Sequence, residues 1–132
     1  METRAIRPGM VRIERIGPIT RQDISRYAGA SGDFNPIHID EEFARKAGFK
    51  SVFAMGMLTS AHLSRLISDW VGPNNVKRFK TRFTGKVWPG DELELKCLVK
   101  EKNSDGTYEL DVSASNQGNE IVISGNATVI AP

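Results

Sequence analysis

The sequence of 132 residues predicts an α+β domain in which one long central helix is wrapped by a curved antiparallel sheet. The first observation concerns residues 56–71. If they form a helix, the strongly polar side chains His62, Arg65 and Asp69 fall within one narrow sector of its surface. The rest of that helix surface is apolar or small, so another layer must cover it. The second observation is the alternation of apolar and polar residues after residue 75, which is typical of antiparallel strands. A curved sheet is the expected cover for such a helix.

Strands are predicted wherever apolar and polar residues alternate. They cover residues 11–16, 76–84, 92–100, 108–114 and 120–131. Gly125 is expected to form a bulge in the last strand. Cys97 lies on the apolar side of its strand, so we expect it to pack in the core and not to act as a nucleophile.

Two shorter helices are predicted before the long one. Thr20 is a typical N-cap residue, and Asp23 stands at the capping-box position of the first helix. Asp40 is expected to cap the second helix, which has acidic residues in its first turn and basic residues in its last. Phe43 and Ala47 share one face of the second helix, and we expect that face to pack inward.

The loop between these two helices carries the candidate catalytic side chains. Asp33 and His38 lie five positions apart, on a segment too rich in Gly, Asn and Pro for a regular helix or strand. Gly32 permits unusual backbone angles, and Asn35-Pro36 favours a turn. Such a loop can hold a carboxylate and an imidazole in one fixed relation, as acid–base chemistry requires. The residues alone leave a structural alternative open, in which Asp33 forms an Asx turn and His38 is a hydrogen-bonded structural residue.

Residues 27–38, with the sequence Tyr-Ala-Gly-Ala-Ser-Gly-Asp-Phe-Asn-Pro-Ile-His, resemble the signature of the (R)-specific enoyl-CoA hydratases of the MaoC-like dehydratase family. Gly56-Met57-Leu58 at the head of the long helix is similar to the second conserved motif of that family. Met55 is a departure, because many relatives carry a histidine there. The resemblance implies a hot-dog fold, one MaoC-like domain over residues 1–132, and a homodimer with its sites between the subunits.

The same resemblance implies a hydro-lyase. The expected reaction is reversible hydration of trans-2-enoyl thioesters of coenzyme A or acyl carrier protein to (R)-3-hydroxyacyl thioesters. His38 would remove a proton from water, while Asp33 orients that water and helps deliver a proton to the α-carbon. The backbone N–H of Gly56 would stabilise negative charge on the thioester oxygen, because free N–H groups and the helix dipole favour negative charge at a helix N-terminus.

Further residues are expected to contact substrate. Ser64 points away from the charged sector of the long helix, so we expect it to be buried and to face the sheet or the substrate, with His62 near an edge. A basic stripe follows the helix, and as a whole it is expected to hold the phosphorylated carrier, although a solvated strand face explains each member equally well. The stripe comprises Lys77, Arg78, Lys80, Arg82 and Lys86. The expected substrate-binding residues are Phe34, Asn35, Met55, Met57, Ser64, Arg78 and Arg82.

Composition narrows the class of protein. A formal net charge of +2 is too small to predict a nucleic-acid partner. The single cysteine is compatible with a reducing cytosol. The sequence contains no apolar run of about 18 residues, so no membrane span is predicted. We therefore expect a cytoplasmic protein, and neither a metal site nor a cofactor is expected, because no ligand spacing or glycine loop of the known kinds occurs.

Two other functions remain open at this point. A thioesterase can be built on the same fold, since a fold does not fix a function. A non-catalytic subunit that only binds acyl thioesters would keep the pocket without turnover.

Overall fold

The computed structural model describes residues 5–132, which form one antiparallel sheet and three α-helices. The strands are β1 (Val11–Ile16), β2 (Val76–Phe83), β3 (Leu93–Lys102), β4 (Tyr108–Ser115) and β5 (Ile121–Val129). The helices are α1 (Arg21–Ser31), α2 (Glu41–Lys46) and α3 (Gly56–Val71). In the sheet the strands follow the order β1-β3-β4-β5-β2, and every neighbouring pair is antiparallel. All predicted strands are present, with small shifts at their ends.

The long helix α3 lies against the inner face of this sheet. It contacts β2, β3, β4 and β5, and its side chains Leu63, Ile67 and Trp70 are buried. The sheet contributes alternate residues to the same core, among them Leu95 and Leu110. The predicted architecture, a central helix wrapped by a curved sheet, is confirmed. None of the helices within residues 5–132 is long and apolar enough to cross a membrane.

Helix α1 begins as its sequence predicts. The Thr20 hydroxyl accepts a hydrogen bond from the Asp23 N–H at 3.0 Å, and the Asp23 carboxylate accepts one from the Thr20 N–H at 2.9 Å. This backbone hydrogen bond from Thr20 is the main reason why the pKa of Asp23 lies below its usual value. The helix ends at Gly32, whose φ of 78° places it in the left-handed region.

Helix α2 packs differently from the prediction. Phe43 is 46% exposed and Ala47 is exposed, whereas Ala44 is fully buried. The helix lies against the turn at Pro36–His38, and the small Ala44 side chain is the one excluded from solvent. The expectation for Phe43 and Ala47 was therefore wrong, because a helix of six residues is too short for spacing alone to define its buried face.

Gly125 does not form the predicted bulge. It pairs in regular register with Thr81 of β2 and Val112 of β4. A Cβ atom at this position would lie 1.9 Å from the carbonyl oxygen of Lys80. Glycine is required here because the backbone of β2 approaches β5 closely. In the sequence, an isolated glycine within a strand can indicate either a close approach or a bulge, so the two could not be told apart.

The polar side chains of α3 are exposed or buried as predicted, with the exception of Ser64. Arg65 forms an ion pair with Glu14 of β1 at 3.0 Å, near the edge of the molecule. Ser64 is only half-buried, so its predicted burial is not observed. The buried hydroxyl groups of the helix belong to Thr59 and Ser60, and Ser60 Oγ lies 3.0 Å from Oγ1 of Thr81.

Cys97 is fully buried, and its predicted packing role is confirmed. Burial raises the pKa of its thiol to about 12, so the thiolate needed for nucleophilic chemistry does not form near neutral pH.

His62 gives the stability of the protein a defined pH dependence. Partial burial lowers the pKa of His62 below its usual value of 6.5, and the nearby Arg65 guanidinium lowers it further. The unfolded chain therefore binds a proton at a higher pH than the folded chain does. We expect the free energy of unfolding, measured with urea, to fall as the pH is lowered through 6.5. The His62→Gln variant should lose less stability over that interval, and identical pH profiles for the two proteins would contradict this assignment.

Candidate active site

The loop after α1 exposes the Asp33 carboxylate. One oxygen, Oδ1, accepts a hydrogen bond from the Asn35 N–H at 3.2 Å, and the Asp33 N–H donates to Ser31 Oγ at 3.2 Å. The Asx turn left open by the sequence is therefore present. It does not exclude a chemical role, because an ionised carboxylate has two oxygens and about four acceptor positions.

His38 is buried at the end of the same loop, in a 3-10 turn at Pro36–His38. Its Nδ1 lies 2.6 Å from the carbonyl oxygen of Phe53, and its ring meets the Phe53 ring edge to face at 5.0 Å. A carbonyl oxygen can only accept, so the neutral imidazole carries its proton on Nδ1. The lone pair is then on Nε2, so that atom is able to accept a proton.

Asn35 shapes the loop that holds these two groups. Its side-chain oxygen accepts the Ile37 N–H at 3.2 Å and caps the 3-10 turn. The Asn35 carbonyl oxygen also accepts the N–H of His38 at 3.0 Å. Asn35 therefore helps to orient His38. Its contact with substrate stays a prediction.

Helix α3 begins beside Phe53, at Gly56. The preceding residue, Met55, is buried and extended, and within residues 5–132 no side chain caps this helix end. The first N–H groups of a helix lack partners inside the helix, and the dipole concentrates positive potential there. The start of α3 can therefore stabilise an oxygen that gains negative charge.

A cleft of about 330 Å³ opens at this helix end. Its walls come from three parts of the chain, which are Phe53, Ala54, Gly56 and Thr59, residues 83–87 at and after the end of β2, and Val122 and Ile123 of β5. Phe53 connects His38 with the cleft. Its carbonyl oxygen is hydrogen-bonded to His38, and Phe53 also lines the cleft. The imidazole and the helix end are thus joined through one residue.

Phe83 covers the helix end. A Cβ atom at Gly56 would lie 2.8 Å from Cγ of the Phe83 ring, although that side chain is 52% exposed. We expect Gly56→Ala to destabilise the protein by about 1–3 kcal/mol through this overlap. Alanine keeps the backbone N–H, so the change tests packing alone. Because Phe83→Ala removes the ring that the new Cβ overlaps, the double variant Gly56→Ala with Phe83→Ala should recover the melting temperature of Phe83→Ala alone. A double variant as unstable as the sum of both changes would show that the helix end cannot accept any side chain.

The remaining predicted binding residues occupy several environments. Phe34 and Met57 are 62% and 55% exposed, close in sequence to Asp33 and Gly56 respectively, and Met55 is buried. Arg78 and Arg82 are exposed and alternate along β2 with the half-buried Phe79 and Thr81, so they lie on the outer face of the sheet.

The structure therefore does not bring Arg78 and Arg82 to the cleft at Gly56. Their contact with substrate stays a prediction. Phe53, Thr59 and Phe83 line the cleft and were not expected there from the sequence. The sequence gives an indirect signal for Phe83, because it is an aromatic residue at the end of a strand whose other residues are mostly charged. Nothing in the sequence marks Phe53 as the partner of His38.

Solved structures share this architecture. The unliganded R-hydratase of Pseudomonas aeruginosa superposes with a TM-score of 0.87 and 31% identity, covering 96% of this chain and 83% of that one. An (R)-hydratase from A. caviae involved in PHA biosynthesis superposes with a TM-score of 0.88 at 24% identity, which supports the fold alone. The fold is the α+β hot-dog fold. The model of the MaoC like domain matches residues 7–120, and the chain belongs to that family.

Relatives in sequence carry related names. The mitochondrial 3-hydroxyacyl-[acyl-carrier-protein] dehydratase of Arabidopsis thaliana is 37% identical over 116 residues, which are 84% of this chain and 69% of that protein. The 3-hydroxybutyryl-CoA dehydratase of Methylorubrum extorquens is 31% identical over 116 residues, 86% of this chain and 74% of that protein. Other relatives are far longer, and the chain spans only 3% of fatty acid synthase 2 of Mycosarcoma maydis.

Proposed function

We propose that the protein is a hydro-lyase that adds water reversibly to trans-2-enoyl thioesters and gives (R)-3-hydroxyacyl thioesters. The observation that carries this proposal is the bond between His38 Nδ1 and the Phe53 carbonyl oxygen, because it leaves Nε2 free to act as a base while Phe53 itself lines the cleft at the start of α3. The names of relatives that are hydratases or dehydratases support the same reaction class.

The proposed reaction has three requirements, and each is assigned to one group. His38 Nε2 takes a proton from water as the water oxygen bonds to the β-carbon. Negative charge then moves to the thioester oxygen, where the Gly56 N–H and the α3 dipole stabilise it. Asp33 orients the water and helps to deliver the proton held by His38 to the α-carbon, which completes the addition of one water molecule across the double bond and returns both side chains to their starting states.

The exposed groups at the site favour a second subunit. Phe34, Met57 and Phe83 are large apolar side chains that are each more than half exposed around the loop and the helix end. Strand β2 pairs with β5 on one side and forms an edge of the sheet on the other. We infer a homodimer that covers these side chains, because exposed apolar clusters and free strand edges favour association. Light scattering at the mass of one chain, 14.6 kDa, would refute it.

A single assay tests the proposed reaction against its alternatives. Purified protein is mixed with a short trans-2-enoyl-CoA, and loss of enoyl absorbance is followed in parallel with release of free thiol. The hydro-lyase proposal predicts loss of absorbance without thiol release. Thiol release would indicate a thioesterase, and binding without either change would indicate a non-catalytic subunit.

The coenzyme A ester and the carrier-protein ester are both compatible with the named relatives. The cytoplasm remains our proposed location.

A further inference from the structure

An aromatic cluster adjoins the cleft through Phe53, which lines it, and the cluster forms a rim with two lysines over its rings. The ring of Phe53 meets that of Phe49 at 4.9 Å and that of Trp88 at 5.7 Å. Lys86 Nζ lies 5.4 Å from the Phe49 ring centre and 5.7 Å from that of Phe53. Lys50 Nζ lies 4.4 Å above the Trp88 ring. The rim therefore presents two ammonium groups positioned by aromatic faces.

These two cations are not neutralised by neighbours. Among the ion pairs within residues 5–132, Arg15, Arg21, Arg45, Lys46 and Arg65 have carboxylate partners, whereas Lys50 and Lys86 have none within 4.0 Å. A contact with a ring face leaves the N–H donors of an ammonium group available. The aromatic contacts also restrict the lysine side chain before any ligand arrives, which reduces the entropy lost on binding.

Lys86 also lines the cleft itself. It lines the cleft together with Phe83 and Gly85, and Gly56 at the start of α3 lines the same cleft. The other members of the basic stripe are in β2, where Arg78, Lys80 and Arg82 point to the outer face of the sheet. Lys86 is thus the member of the stripe that the structure brings to the cleft.

We propose that Lys86 binds the phosphate of the phosphopantetheine arm that carries the acyl group, with Lys50 as a second, weaker contact at the same rim. This inference rests on the proposed function, since it assumes that the cleft receives a thioester. The phosphate is common to coenzyme A and to acyl carrier protein. Lys86 is therefore a binding residue for either carrier and takes no part in moving protons.

The test measures binding without turnover. Saturated butyryl thioesters have no double bond to hydrate, so their dissociation constants can be measured by calorimetry whether or not the protein is a hydratase. The ligands are butyryl-CoA, butyryl-phosphopantetheine and butyryl-pantetheine, and the last of these lacks the phosphate. The proteins are the unaltered chain, Lys86→Ala, and the control Lys96→Ala, which removes an exposed lysine of β3 that lies outside the basic stripe.

The expected result is selective for the phosphate. Lys86→Ala should weaken both phosphorylated ligands about tenfold, a change of about 1.4 kcal/mol, and should leave butyryl-pantetheine unchanged. Lys96→Ala should change none of the three. Equal weakening of all ligands, no weakening, or a loss confined to butyryl-CoA would overturn the proposal, and the last result would place Lys86 at the nucleotide instead.

Two further measurements separate the possible failures. The same variants titrated with a butyryl carrier protein show which source of the phosphate binds more tightly, and Lys86→Ala should weaken that complex as well. If Lys86→Ala has the selective effect but no enoyl thioester is hydrated, the proposed reaction fails and the binding site stands. If hydration proceeds and the selective effect is absent, only the role of Lys86 fails.

Discussion

The His38→Asn variant should hydrate enoyl thioesters with a kcat about 10²- to 10⁴-fold below that of the unaltered protein, the usual loss when a general base is removed. Asparagine tests the chemistry more cleanly than alanine does. Its amide can still donate a hydrogen bond to the Phe53 carbonyl oxygen, which His38 Nδ1 now meets at 2.6 Å, but it offers no base. His38→Ala should lose as much activity and, in addition, some stability, because it removes the hydrogen bond to that partly buried carbonyl oxygen.

Asp33→Asn provides the companion variant. The amide oxygen can still accept the Asn35 N–H, so the loop should keep its shape while the charge is lost. We expect a fall in kcat of similar size, with the melting temperature unchanged because Asp33 is exposed. Full activity in Asp33→Asn or His38→Asn would remove the assigned mechanism. Activity lost together with the folded state would leave the structural alternative, so circular dichroism of each variant is the necessary control.

Gly125→Ala should be the most destabilising single change in the sheet. Its Cβ would lie 1.9 Å from the Lys80 carbonyl oxygen and 2.9 Å from the Thr81 Cα, both of which are backbone atoms that move only if β2 moves. We expect a loss of about 3 kcal/mol or more in the free energy of unfolding, at the upper end of the effects of overpacking. Urea unfolding at fixed pH measures it directly.

Gly29→Ala is the matched control for Gly125→Ala. Gly29 lies within α1, and no atom is within 4 Å of the Cβ that alanine would add. Alanine should stabilise that helix by roughly 0.5–1 kcal/mol, since glycine is a poor helix former. Opposite signs for the two glycines are expected. Gly125→Ala as stable as the unaltered protein would show that β2 and β5 can separate without loss.

The elements that depend on neighbours in sequence could be predicted. Helix α3, the strands and the Thr20 cap follow from periodicity and from contacts three or four residues apart. The features that depend on distant partners could not. The exposure of Phe43 is set by how α2 lies on a neighbouring turn, and the requirement for Gly125 is set by the backbone of Lys80 on another strand.

The site divides in the same way. The motif around Asp33 and His38 identified the candidate groups because their order along the chain is itself the signal. The contact that prepares His38 comes from a carbonyl oxygen of Phe53, and every residue has a carbonyl group, so no residue type announces it. The basic stripe was recognised as a set, but only the course of the chain after β2 separates Lys86 from Arg78 and Arg82.

The most direct test of the account is a crystal structure of the protein with a bound, unreactive analogue of a 3-hydroxyacyl thioester. The proposed reaction requires the thioester oxygen at about 2.7–3.1 Å from the Gly56 backbone nitrogen, and the 3-hydroxyl group within hydrogen-bonding distance of both His38 Nε2 and the Asp33 carboxylate. An acyl group bound away from the start of α3, or Asp33 and His38 directed to different sides of it, would contradict the proposed reaction.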